Sequence, residues 1–276
     1  MVDREVRREE GAEVSLGTLS GTTLSLRWVP PEPLTQADRA AVTAIRAFRG
    51  KAWYESGARP WFLADDSTFH DVGEPVEHDF GAWHGLARDD GGHLTGCVRV
   101  TPVDQAASSP ALAALDANTL DGVLSRIGRP ATGQGAELGK LVVHPAHRGG
   151  RTASLLVALS LAVGRALRRT RAWGFVATGR GQHRFLAHYG CHDLGHVREY
   201  PLYGEETRLM WCDLTAPAGR FEPLVSELAG RISINEPSRR PLPAVTEQPP
   251  RTRGLNVDGR PCAAASEPTV RRGPAA

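Results

Sequence analysis

The stretch Glu137-Leu-Gly-Lys-Leu-Val-Val-His-Pro-Ala-His-Arg-Gly-Gly-Arg-Thr-Ala153 decides the fold. Leu138–Val143 is a short apolar run of strand length, bounded by turn residues. His144–Arg151 (HPAHRGGR) reads as a turn, and Thr152–Arg169 as a long helix with an apolar face. Ala172–Ala177 predicts a second strand. Gln182–Tyr189 predicts a short helix stopped by Gly190, just past its end. Strand, turn, helix, strand and helix in this order predict an α/β fold with at least one parallel pair.

Outward from this unit the signals are shorter. Glu13–Leu16 and Thr22–Trp28 alternate and read as strands; Pro30, Pro31 and Pro33 close the second. A helix is expected from Gln36 to Tyr54, with Ala40, Ala41, Ala44, Ile45, Phe48, Ala52 and Trp53 at helical spacing. Residues 61–80 are irregular and acidic. Trp83–Ala87 and Leu94–Val100 flank an ARDDGG turn and predict a hairpin. Residues 110–126 read as one surface helix, Leu209–Leu214 as a late strand and Phe221–Ala229 as a short helix.

The 276 residues allow one or two domains with a sizeable core. Of the net charge of +2, the stretch from Pro237 to Ala276 supplies seven Arg against three acidic residues. That stretch also holds eight Pro and no aromatic residue, and reads as a disordered basic arm. The rest is slightly acidic, so a nucleic-acid partner is not expected for it. Three segments follow: a leader at 1–35, a domain at 36–233 and a Pro/Arg-rich tail at 234–276. The longest apolar stretch, residues 154–163, falls short of a membrane span, and the charged N-terminus lacks a signal-peptide core. Cysteines 97, 191, 212 and 262 show no paired spacing. A cytoplasmic protein with reduced thiols is expected.

The turn carries the chemistry. Gly149 and Gly150 permit backbone angles closed to other residues, and the first turn of the next helix offers unpaired N–H groups. With Arg148, Arg151, Thr152 and the small Ala153, these residues make a cradle for a pyrophosphate or phosphopantetheine phosphate. Neither a Walker A lysine nor a GxGxxG fingerprint is present. His144 and His147 are spaced i, i+3, but no third ligand is specified, so no metal is expected. The absence of a GxSxG elbow disfavours a serine nucleophile.

Glu137-Leu-Gly-Lys-Leu-Val-Val-His-Pro-Ala-His-Arg-Gly-Gly resembles the cofactor strand and turn of the GNAT superfamily of N-acetyltransferases. Arg184 to Gly195 is similar to that superfamily's later helix and turn. The resemblance covers residues 38–214 and implies a mixed, centrally splayed β-sheet flanked by helices on both faces. A narrower likeness runs through Arg46, Trp53, Asp79, Gly96-Cys-Val-Arg99 and Glu137-x-x-Lys140. This order is similar to the autoinducer synthases and the long-chain N-acyl amino acid synthases. Three departures stand out: Lys140 replaces an arginine, Arg151 a glycine, and Leu186 the usual tyrosine acid.

The resemblance implies an acyltransferase acting on the amine of a small molecule, an amino acid or a derivative. The donor would be an acyl-CoA or an acyl-carrier-protein thioester, used as co-substrate and not as a permanent cofactor. The backbone of Leu141, Val142 and Val143 would align the thioester. Glu137 is the candidate base, with Arg99 and Asp79 beside it; Arg46, Trp53, Asp66 and Lys140 would hold the acceptor. The oligomeric state stays open. Two alternatives remain: a non-catalytic acyl-CoA-binding or regulatory relative, and a nucleic-acid-binding arm at 237–276.

Overall fold

Eight strands form one mixed sheet in the computed structural model, which describes residues 13–57, 60–105, 108–128, 133–179, 181–200 and 205–234. These residues fall in the first of two compact units, Met1–Leu242; the second, Pro243–Ala276, lies outside the described residues. The expected tail therefore lies outside them as well, except for Ile234. The strands are β1 (Glu13–Leu19), β2 (Thr22–Val29), β3 (Ala82–Arg88), β4 (Leu94–Val103), β5 (Gly135–Val143), β6 (Arg171–Ala177), β7 (His192–Tyr200) and β8 (Glu205–Asp213). They lie in the order β1-β2-β3-β4-β5-β6-β8-β7. The pair β5–β6 is parallel and all others are antiparallel. Among the described residues no helix is long and apolar enough to cross a membrane.

The helices are α1 (Gln36–Gly57), α2 (Pro110–Ala113), α3 (Ala117–Ile127), α4 (Thr152–Ala166), α5 (Gln182–Ala187) and α6 (Glu222–Arg231). From Leu155 to Gly164 every residue of α4 is buried. An apolar surface on all sides suits a helix enclosed between the sheet and α6. Leu156 and Leu159 have no exposed surface, and each such burial stabilises the fold by about 1.5–3 kcal/mol. The helix ends three residues before the predicted Arg169, because Arg168 takes a left-handed φ of 55°.

Side chains of a strand alternate between faces. Val98 and Val100 of β4 join the α4 core, whereas Cys97 packs with Ile45 and Ala52 of α1. A third cluster gathers Val103, Leu112, Val123, Ile127, Trp173 and Leu209 beneath α2 and α3. The sheet is thus covered on both faces, as the resemblance implied.

Several boundaries differ from the sequence reading. The runs in the expected leader are strands of the main sheet, since β2 pairs with β3 along seven positions. Strand β5 begins at Gly135, three residues before the predicted Leu138, so Glu137 lies inside it as its third residue; Gly135 and Ala136 already pair with both β4 and β6. The helix expected over 110–126 is two helices, because the Asp116 carboxylate accepts from the N–H groups of Asn118 and Thr119 and starts α3 anew. Strand β7 lies where the sequence predicts none, because HDLGHVREY is polar, as an edge strand tolerates.

Candidate active site

The strands β5 and β6 pair only through Gly135↔Arg171, Ala136↔Ala172 and Glu137↔Trp173. Beyond Glu137 they part. At that point Gly174 is required, since a Cβ there would sit 2.0 Å from the carbonyl oxygen of Leu138. Among the described residues, Leu138, Val142 and Val143 continue paired to β4, and neither they nor Leu141 pair with β6. An apolar cavity opens by the parting, lined in part by Leu138, Gly174, Val176, Leu186 and Met210.

A bulge shapes the same strand. Cys97 pairs with Val142 but Arg99 with Gly139, so two steps of β4 oppose three of β5, and Lys140 adopts a φ of 55°. The bulge reverses the alternation. Leu138 packs on the α4 core before it, and Leu141 and Val143 do so after it, while Val142 faces α1. Lys140, which strict alternation would send towards α4, instead places Nζ 3.3 Å from both Asp71 Oδ2 and Glu74 Oε1.

Those two acids belong to the segment between α1 and β3, and with Asp79 they meet four cations. Arg49 is wholly buried and grips Asp79 with two hydrogen bonds, Nη1–Oδ1 at 2.9 Å and Nη2–Oδ2 at 2.6 Å; its Nε lies 2.8 Å from Asp71. Arg46 donates to Asp79 Oδ2 at 2.9 Å and to the carbonyls of Asp71, Glu74 and Pro75. Arg99 Nη1 lies 3.0 Å from Glu74 and 3.5 Å from Asp79; its Nη2 lies 3.6 Å from Glu137 Oε1. Arg46, Arg49, Arg99 and Lys140 thus oppose Asp71, Glu74, Asp79 and Glu137 in a closed network. Separating any such buried pair would strand an uncompensated charge.

The network sets the proton affinities. Burial opposes ionisation of Asp79, but Arg49 and Arg99 outweigh it and hold the carboxyl far below its usual range. Burial likewise disfavours ionised Glu74, and Arg99 and Lys140 again prevail. Glu137 is the exception. Its burial dominates, so its carboxyl is raised despite Arg99 and two hydrogen bonds. His84 Nε2 lies 3.0 Å from the Asp79 carbonyl oxygen, and burial lowers its imidazole to about 4, so it is neutral.

Glu137, Arg99, Asp79, Arg46 and Lys140 are thus brought together. Asp79 has no exposed surface and both its oxygens are taken, so it braces the cations and offers nothing to solvent. Asp66 does not join them: it is exposed and accepts from the N–H and hydroxyl of Thr68. Asp71 and Glu74 occupy the place the acidic segment left open; of the two only Glu74 reaches the surface, its side chain 22% exposed. Trp53 stacks on Phe62 at 6.4 Å and packs against the α1 cluster. Arg49 is a further member of the site, and the one signal for it in the sequence is its i, i+3 spacing from Arg46, which puts both guanidinium groups on one helix face.

The turn stands at the other end of β5. Gly149 has a φ of 81°, and nothing lies within 4 Å of where its Cβ would be. Arg148 Nε donates to the carbonyl of Val143 at 3.1 Å. Helix α4 has no side-chain cap, which leaves the first N–H groups at Thr152 and Ala153 facing the turn. The Arg151 side chain reaches away, donating to Ser20 Oγ in the β1–β2 turn at 2.7 Å. Tyr189 donates its hydroxyl to the Ser154 carbonyl at 3.0 Å and stacks on Phe221 at 4.0 Å. Burial pushes its phenol up to about 12, so it docks α5 on α4 as a structural group.

Residues 68–158 match the family model described as an acetyltransferase (GNAT) domain. No curated protein matches the chain. Among solved structures, TofI in a ternary complex with an inhibitor and MTA is 14% identical and has a TM-score of 0.47, over 76% of this chain and 99% of that one. The CoA-dependent acyl-homoserine lactone synthase BjaI, with SAM and isopentyl-CoA, is 14% identical, with a TM-score of 0.48 over 71% of this chain and 85% of its own. MesI, another CoA-dependent acyl-homoserine lactone synthase, is 18% identical, with a TM-score of 0.44 over 72% and 94%. The family match spans the acidic segment from residue 68 on, the bulged strand and the turn at the head of α4. The match of residues 68–158 to a GNAT acetyltransferase domain supports the acyltransferase class of chemistry.

Proposed function

We propose that the protein is an N-acyltransferase, moving an acyl group from a CoA or acyl-carrier-protein thioester to the amine of a small molecule, an amino acid or a derivative. One observation carries this reading: β5 leaves β6 immediately after Glu137, and the same strand runs into the uncapped turn at α4. In this reading the donor phosphate sits on Arg148, Gly149, Gly150, Thr152 and Ala153, where the positive end of the helix dipole attracts it. The thioester then lies along the unpaired side of Leu141–Val143. Glu74, the surface-reaching acid of the network, is the group supported as the acceptor's ammonium contact. Asp79, Arg46 and Lys140 act behind it by holding the segment and its charge balance.

The step needs a neutral amine. Its nitrogen attacks the thioester carbonyl carbon, the carbon–nitrogen bond forms, and the carbon–sulfur bond breaks. The proton lost from nitrogen passes to Glu137, directly or through water, and onward to the leaving thiolate. A raised carboxyl suits this role, since the optimum for a base lies nearer the working pH. The three described cysteines are free and buried, which supports a reducing, cytoplasmic setting.

The test offers acyl-CoA thioesters from acetyl to dodecanoyl, and the matching carrier-protein thioesters, to the purified chain with a panel of amino acids and amines. Amine-dependent thiol release with a new amide in the mass spectrum is expected. Binding of thioester without turnover on any amine would sink the reading in favour of a non-catalytic acyl-CoA-binding protein.

A further inference from the structure

Ser109 stands where three elements meet. It caps α2, accepting from the N–H of Leu112 at 3.3 Å, and is itself fully buried. It also accepts from the indole Nε1–H of Trp173, at 2.8 Å. Trp173 is the residue paired with Glu137 at the last step before β5 and β6 part. A hydroxyl has one proton and two acceptor positions. With both acceptor positions engaged, the proton is directed at Glu137 Oε2, 2.6 Å away. The N–H of Ala111 is a second donor on that oxygen, at 2.9 Å. Oε2 is therefore fully engaged, and Oε1 is left on the side of Arg99.

We propose that Ser109 is the positioning residue for Glu137: the indole of Trp173 and the start of α2 lock its hydroxyl as a donor onto Oε2, so that the carboxylate exchanges its proton at Oε1. The inference rests on the reading of Glu137 as the base, and it deepens that reading by naming the oxygen and the residue that selects it. The charged groups facing Glu137 are Arg99 from β4, which favours the carboxylate, and Glu74 from the segment before β3, which opposes it. The donors on Oε2, Ser109 and the N–H of Ala111, are uncharged, so they fix geometry and basicity without adding a counter-ion.

Ser109→Ala removes a hydrogen bond that favours the charged carboxylate, so Glu137 should become harder to ionise. The measurement is carboxyl-carbon NMR of the full chain labelled at the glutamate carboxyl, with the Glu137 signal assigned by its loss in Glu137→Gln. In Ser109→Ala the midpoint should rise by about one pH unit, and Ser109→Thr, which keeps the hydroxyl, should stay near the parent value. An unchanged midpoint in Ser109→Ala, or an equal rise in Ser109→Thr, overturns the proposal. If Ser109→Ala does not fold, Trp173→Phe serves instead: loss of the donor onto Ser109 should still raise the midpoint, and no rise overturns the proposal. The base reading fails separately, through an unchanged pH–rate profile in Glu137→Gln.

Discussion

Glu137 and Lys140 stand three residues apart on β5 and yet serve the same face of the sheet, because the bulge at Lys140 reverses the alternation between them. Glu137 lies by Arg99, and Lys140 closes on Asp71 and Glu74, so one strand supplies both a carboxylate and a cation to the network. The bulge and the parting of β5 from β6 occupy consecutive stretches of that strand. The site is built where the sheet is least regular, as bulges beside active sites commonly are.

Glu137→Gln should lower kcat by about 100-fold near neutral pH, in the range expected for loss of a general base. The loss should shrink at higher pH, where free amine is abundant. A steady-state pH profile checks this, and a loss that is constant with pH would remove Glu137 as the base.

The buried ion network makes stability depend on pH. Asp79 and Glu74 ionise below their ordinary range in the folded chain, so their contribution is present above the unfolded carboxylate pKa of about 4 and is lost as pH falls further. Arg49→Met should cost about 3–5 kcal/mol at neutral pH, because Asp79 remains buried without its main partner and Asp71 without one of its two close cations. It should also flatten the acid limb. Urea unfolding at several pH values measures both effects, and a cost that did not vary with pH would contradict the assignment.

The two glycines of the turn should separate. Gly149→Ala places a side chain at a left-handed φ and should cost about 1 kcal/mol of stability. Gly150→Ala meets only the His147 carbonyl oxygen at an ordinary 3.7 Å, so its stability should be nearly unchanged. If phosphate is cradled there, the effect at Gly150 appears as weaker binding of CoA by calorimetry. Equal CoA affinity in Gly150→Ala and the parent would argue against that contact.

Tyr189→Phe should keep turnover within about twofold while costing about 1 kcal/mol, the worth of the hydrogen bond to Ser154. Its phenol, held near 12 by burial, docks one helix on another. A fall in kcat of two orders of magnitude, with stability unchanged, would instead make it the acid.

The sequence by itself determined the unit from β5 to α5, the parallel pair and the turn at the head of α4. Apolar runs of strand and helix length and the Gly149-Gly150 pair are local signals, complete within a few residues. It also marked Glu137, Arg99, Asp79, Arg46 and Lys140. Only the tertiary structure decided which acids meet which cations: Asp71 and Glu74 entered the network, and Asp66 turned to Thr68 at the surface. Arg49 and Asp79 are separated by the whole acidic segment, and Ser109 and Glu137 by α2 and α3, so no local spacing relates them. The bulge was hidden for a different reason: a period of two, read along Leu138–Val143, assigns Lys140 to the wrong face. What reverses it is the mismatch of β5 against β4, which exists only once the two strands are paired.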